Sequence, residues 1–189
     1  MRVCGLWTRV LIATAAAGCA PAHRIGSPVL PSATHVVIVP VADVRAKPQS
    51  FPSPGTHDPS QETQVLYGEG VRLIATRGDW AMVEAVEQPE YTHQQRWQGY
   101  PGWVPLAALR PRSRAEGQRP TNAVVVDNWA AVARREPAQG PELRLPVGTH
   151  VRAGRAGRSG WNVQLLDGTT GRIASGQLRL LRDLHRLSS

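Results

Sequence analysis

The sequence predicts an all-β fold, arranged as two tandem small β-barrels behind a signal peptide and a flexible tether. Three observations point there: short β-branched runs cut by Gly/Pro turns, a repeat of those runs in the second half, and an amino terminus of different texture. The 189 residues include 18 glycines and 16 prolines spread along the chain, which disfavours long helices because both types weaken helix interiors. Hydrophobic residues make up 41% of the chain, enough to bury cores and to argue against wholesale disorder.

Residues 1–19 read as an export signal. Arg2 and Arg9 bracket a short basic region, and VLIATAAA (10–17) is an apolar run far shorter than the roughly 20 residues that span a bilayer. It suits a signal-peptide core instead. The run ends in AAGC, closing on Cys19. This resembles the lipobox of bacterial lipoproteins, where the cysteine is acylated and becomes the first mature residue, although Ala16 stands where leucine is usual. Cleavage after Ala22, in APA, is the alternative. Lipidation at Cys19 implies a membrane anchor in the bacterial envelope, and residues 20–34, rich in Pro, Ser and Gly without periodicity, read as the tether. Both cysteines, Cys4 and Cys19, precede residue 20. The folded part is therefore expected to lack disulfides, thiol nucleophiles and cysteine-bound zinc.

From His35 onward the strands follow one another. VVIVPVADV (36–44) is β-branched and interrupted by Pro40. Residues 65–86 read as two strands split by YGEG and then RGDW, and YPGWVPLAAL (100–109) reads as a strand with a one-turn helix. The second half repeats the order. AVVVDNWAAVARREP (123–137) parallels VVIVPVADVRAKP (36–48), and ELRLPVGTHV (142–151) lies over ETQVLYGEGV (62–71), matching Gly68 to Gly148 and Val71 to Val151. GRIASGQL (171–178) lies over GWVPLAAL (102–109), and Trp161 falls opposite Trp80 after one extra residue. A repeat this long implies two homologous units, 35–110 and 122–183, with a linker at 111–121 and a tail at 184–189. Trp80, Trp103, Trp161 and Trp129 are expected to pack in the cores.

The least regular stretch is QPEYTHQQRWQGYPGWVPLAAL (88–109), which crowds Tyr91, Trp97 and Tyr100 around Arg96. In the order VADVRAKP, YGEGVRLIATRGDWAMVEA, QPEYTHQQRWQGYPGWVPLAAL, the first unit resembles a bacterial SH3-type (SH3b) domain. More narrowly, it is similar to the SH3 region preceding the catalytic domain of NlpC-family cell-wall cysteine peptidases. The resemblance covers roughly residues 35–183 and weakens in the second unit, where Gly102-Trp103 becomes Gly171-Arg172 and the insertion shrinks to LDGTTG (166–171). It implies a ligand-binding role for Tyr91, Trp97, Tyr100 and Arg96 toward peptidoglycan stem peptides. A loop that folds back on its own barrel is the competing reading.

The family's chemistry requires a thiolate–imidazole pair on a separate domain, and the expectation here is a chain without that domain. No catalytic residue, metal ligand set or cofactor is expected. The six histidines are scattered without metal-ligand spacing. His57-Asp58 reads as a solvated turn, and Glu84 with Glu87 is too ordinary for an acid–base pair. The expected partners are peptidoglycan, the membrane through the lipid anchor, and a separately encoded peptidase that this chain would regulate; a protein-binding envelope scaffold is a third reading. Charge divides the chain: residues 35–110 hold six basic and eight acidic groups, 6 − 8 = −2, and residues 111–189 hold thirteen arginines and six acids, 13 − 6 = +7. A basic second unit would be drawn to anionic surfaces, unless the arginines reflect composition alone. Export makes nucleic acid an improper partner.

Overall fold

The structure is a computed structural model and describes residues 32–50, 58–117, 120–134, 142–157 and 160–185. The signal segment, Cys19, most of the tether and His57 lie outside the described residues.

Two seven-stranded antiparallel sheets account for nearly all of it. The first comprises β1 (His35–Val37), β2 (Val41–Arg45), β3 (Gln61–Leu66), β4 (Gly70–Arg77), β5 (Trp80–Glu90), β6 (Gln98–Pro105) and β7 (Leu109–Pro111). The second comprises β8 (Ala123–Val125), β9 (Trp129–Arg134), β10 (Leu143–Pro146), β11 (His150–Arg155), β12 (Gly160–Gln164), β13 (Thr170–Ala174) and β14 (Leu178–Leu180). Their strand orders are β3-β2-β6-β5-β4-β1-β7 and β10-β9-β13-β12-β11-β8-β14, so adding seven to each label of one gives the other. Pro40 divides the first β-branched run into β1 and β2, as a residue without an N–H must in a ladder. One-turn 3-10 helices at Leu106–Ala108 and Ser175–Gln177 lead into β7 and β14.

Backbone hydrogen bonds establish the repeat residue by residue. Val37 N–H donates to Glu69 O (3.0 Å) as Val125 N–H does to Thr149 O (2.9 Å). Gly68 N–H to Val37 O recurs as Gly148 N–H to Val125 O, and Thr34 N–H to Val71 O recurs as Asn122 N–H to Val151 O. Ile38 N–H to Ala108 O recurs as Val126 N–H to Gln177 O. The paired glycines have φ of +87° and +86°, a left-handed turn geometry that side-chain-bearing residues enter at a cost. Gly102 and Gly171 are equivalent in a second way. A Cβ on Gly102 would lie 2.4 Å from Val44 Cγ1, and one on Gly171 would lie 2.2 Å from Val132 Cγ1. Each sheet closes over a valine where only glycine fits.

Alternation builds the cores. Along β5, Ala81, Val83 and Ala85 are buried, and they join Val44, Val65, Val71 and Val104. The second core gathers Val125, Val132, Leu145, Val163, Ile173 and Leu178. Each fully buried aliphatic side chain contributes on the order of 1.5–3 kcal/mol. One member of the second core comes from the first unit: Tyr67, on the turn between β3 and β4, is 8% exposed within it.

Three expectations are corrected. Trp161 is not the counterpart of Trp80: Trp80 pairs with Pro105, whereas Trp161 pairs with Ile173, which places it opposite Ala81. That one-residue shift turns Trp161 inward against the second core and leaves Trp80 on the outer face. Trp80 and Trp103 are only partly buried and Trp129 is 45% exposed, so none of them is a core residue. Asp58 is not solvated. It is 7% exposed, ion-paired at 2.5 Å with Arg45, and it accepts a hydrogen bond from Ser60 N–H.

The segment joining the sheets is structured where it is described. Ser113 and Glu116 form a capping box around α1 (Arg114–Gly117): Glu116 N–H donates to Ser113 Oγ, and Ser113 N–H donates to Glu116 Oε2. Arg110 pairs with the same carboxylate and also donates to Leu166 O at 2.8 Å, tying the junction to the second sheet. A short α2 (Leu181–His185) follows β14.

Candidate ligand-binding loop

The aromatic insertion is the turn between β5 and β6. Register carries the pairing from Ala85↔Tyr100 to Pro89↔Gly99 and Glu90↔Gln98, so residues 86–88 bulge from the ladder. The bulge is anchored: Gln88 Nε2 donates to Gln64 O at 2.7 Å, Gln88 Oε1 accepts from Thr63 Oγ1, and Glu87 accepts from Gly70 N–H. The loop thus rises from a fixed base.

Glu90 organises residues 91–97. Its carboxylate accepts from Gln98 Nε2 (2.5 Å), Thr92 Oγ1 (2.9 Å) and His93 N–H (3.1 Å), with His93 Nδ1 at 3.2 Å. Desolvation pushes this carboxyl up, but the bonds from Gln98, His93 and Thr92 outweigh it and bring the pKa down to about 2. Gln98 is wholly buried, and its Oε1 has no partner among the described residues. Gln95 takes a φ of +50°, an uncommon conformation for a residue with a side chain.

On this frame the predicted residues separate into two groups. Tyr91 and Trp97 close the loop at its two ends, with ring centroids 5.7 Å apart at 60°. Each remains 49% exposed. Arg96, beside Trp97, has a side chain 55% exposed; its Nε donates to Gln94 Oε1, and its Nη2 lies 4.0 Å from Glu84 Oε1. Glu84 is already held by Arg72 in two bonds, at 3.2 and 2.5 Å, so Arg96 is held loosely. Tyr100 belongs to the scaffold instead. It packs against the first core, meets His93 edge-on at 5.2 Å, and donates its hydroxyl to Glu62 Oε2 at 2.9 Å. Burial, then Glu62, raises its phenol pKa.

The surface therefore offers two tilted aromatic rings and an exposed, weakly paired guanidinium. Such rings supply contact area with few torsions to freeze, and a guanidinium pairs with carboxylates in a fork. Sequence reasoning missed Glu90, His93 and Gln98 as the residues that shape the loop. The Glu-x-Thr-His spacing, a carboxylate just before two donors, was the available signal. Among the described residues no group of His, Asp and Glu is placed to hold a metal, and no helix is long and apolar enough to cross a membrane.

In the second sheet the corresponding turn is short and lies against the first unit, through Leu166. It presents no aromatic pair.

No protein-family model and no curated protein matches the sequence. Among solved structures, the chain is similar to an NlpC/P60 family protein from Bacillus cereus, with a TM-score of 0.65 and 18% identity over 78% of this chain and 56% of that one. It also aligns with NlpC2 from Trichomonas vaginalis at 10% identity over 79% of this chain and 48% of that one, with a TM-score of 0.28. The first likeness is one of fold. The chain spans little more than half the length of the Bacillus protein.

Proposed function

We propose that this chain is a non-catalytic envelope lipoprotein, anchored through Cys19, whose two units are tandem SH3b domains that bind peptidoglycan through its stem peptides. The observation that carries the reading is the Tyr91–Trp97 pair, half-exposed on a loop fixed by Glu90, with Arg96 beside it. Stem peptides carry carboxylates and short aliphatic side chains, which suit a guanidinium next to two rings. The fold likeness to an NlpC/P60 family protein agrees with the resemblance from which the wall-binding expectation comes. The test is co-sedimentation of the full chain with purified peptidoglycan, beside a Tyr91→Ala/Trp97→Ala variant. Tyr100 is left intact because it supports the fold. The reading predicts that wild type pellets and that the folded variant pellets markedly less; a wild type that stays in solution, or a variant that pellets as fully as wild type, defeats it.

A second reading has its own support. The half-exposed Tyr91–Trp97 pair also suits the rim of a peptidase cleft, with this chain as the substrate-shaping partner of a separately encoded peptidase. Co-purification with a cell-wall peptidase, lost in the same variant, would favour that reading over wall binding alone.

A further inference from the structure

A second surface lies away from the aromatic loop. The two sheets meet over a cleft of about 1050 Å³, walled on one side by Trp80, Asp43 and Gln64 and on the other by Trp129, Asn128 and Val147. Trp129 and Val147 are 45% and 52% exposed, and they adjoin across the β9–β10 pairing, so they form one apolar patch on the cleft wall. The volume matches the upper end of ordinary small-ligand sites, about 300–1,000 Å³.

The chemistry of the lining narrows the occupant. Arg45 is the only cation on the wall among the described residues, and it already sits between Asp58 at 2.5 Å and Asp43 at 3.5 Å. Asp43 in turn accepts from Gln64 Nε2 at 2.9 Å. Among the described lining residues no cation is left to receive a ligand carboxylate or phosphate. On the Trp129 wall the backbone is also engaged: Val147 N–H donates to Asn128 O, and Pro146 has no N–H. An added peptide strand, which is recognised through main-chain bonds, finds few there. What remains are two indole surfaces on opposite units, with amide and carboxylate acceptors and donors between them.

We infer that this cleft binds an uncharged oligosaccharide of N-acetylated sugars. The C–H faces of such rings lie against indole, as apolar bodies with polar edges do. Their hydroxyl and acetamido groups exchange hydrogen bonds with Gln64, Asn128 and Asp43. The inference rests on the wall-binding reading for the source of the ligand, the glycan strand, and assigns that strand a site separate from the stem-peptide loop.

The experiment is calorimetric titration of the full chain with the β-1,4-linked tetramer of N-acetylglucosamine, and separately with a stem tetrapeptide. The sugar should bind saturably. Trp129→Ala should weaken it by about tenfold or more, the scale of an aromatic anchor, while Trp97→Ala leaves it unchanged. The indole N–H resonances provide a check that needs no variant: of the six tryptophans, those of Trp80 and Trp129 should move and those of Trp97 and Trp161 should not. Absence of sugar binding to the folded wild type overturns the inference, as does binding that depends on Trp97 instead of Trp129. Sugar binding without peptide binding would keep the cleft and defeat the stem-peptide reading; the reverse result would keep that reading and defeat the cleft.

Discussion

Leu166 N–H donates to the Tyr67 hydroxyl oxygen at 2.8 Å, across ninety-nine residues and from one sheet to the other. Arg110 takes the carbonyl of the same residue, so both backbone groups of Leu166 are satisfied by the first unit. Tyr67 → Phe should leave the Leu166 N–H unpaired and lower stability by about 1–2 kcal/mol. Tyr67→Ala should cost about 3–5 kcal/mol by opening a cavity in the second core. Denaturant melts of the two variants measure this.

Tyr67 also gives an alkaline signature. Burial is the main reason that its phenol pKa is raised above 10. Its contribution is complete below pH 10 and is lost as pH rises toward the folded value, because the phenolate is disfavoured inside the protein. The Tyr67→Phe variant should show a flatter stability profile above pH 10 than wild type.

The Glu90 carboxyl works in the acid direction. Its folded pKa is about 2 against an ordinary 4.5, so the order that it gives the loop is complete above pH 4.5 and is lost as pH falls toward 2. The amide resonance of His93, which donates to this carboxylate, should shift through that window. In Glu90→Gln the acid transition should vanish, and the His93 amide should exchange faster at neutral pH.

Gly171 tests the close packing. Gly171→Ala drives a Cβ against Val132 and should cost about 1–3 kcal/mol. Combining it with Val132→Ala should cost less than the sum of the two single changes, since the shorter side chain makes room. A double-mutant cycle in urea reads the coupling.

Arg45 and Asp58 form the most buried ion pair described, with side chains 9% and 7% exposed. Asp58→Ala should destabilise by about 2–3 kcal/mol, because the buried guanidinium keeps only the longer pair with Asp43 and its bond to Gln49 O, while Arg45→Met with Asp58→Leu should cost less. Thermal melts of both variants decide the point.

Much of the architecture was legible because repeats and period-two alternation are local signals. Gly68 and Gly148, Val71 and Val151, and Leu109 and Leu178 were matched from sequence and occupy equivalent backbone positions. The tryptophans misled. Aligning Trp161 with Trp80 treated two indoles as one position, whereas strand register separates them by a residue and by a face. Trp129 was read as core because it lies in a strand, yet its strand position faces out. Of the candidate loop, the aromatic cluster was visible and the roles within it were not. The contact that commits Tyr100 to the scaffold reaches Glu62, thirty-eight residues away, and no local pattern announces a partner at that distance. The burial of Asp58 escapes for the same reason, since it lies in the loop before β3 and its partner Arg45 lies on β2.

Tyr67 belongs to the first unit by its place in the chain and to the second by its surroundings. The border between the two units is therefore not a point in the sequence. A cut through the 111–121 segment would separate two stretches of chain but would not yield two finished bodies, because the carboxyl-terminal fragment would lack a side chain that fills its interior. The duplicated halves have become unequal by this exchange: one lends a ring, and the other accommodates it at the turn where its counterpart displays an aromatic pair.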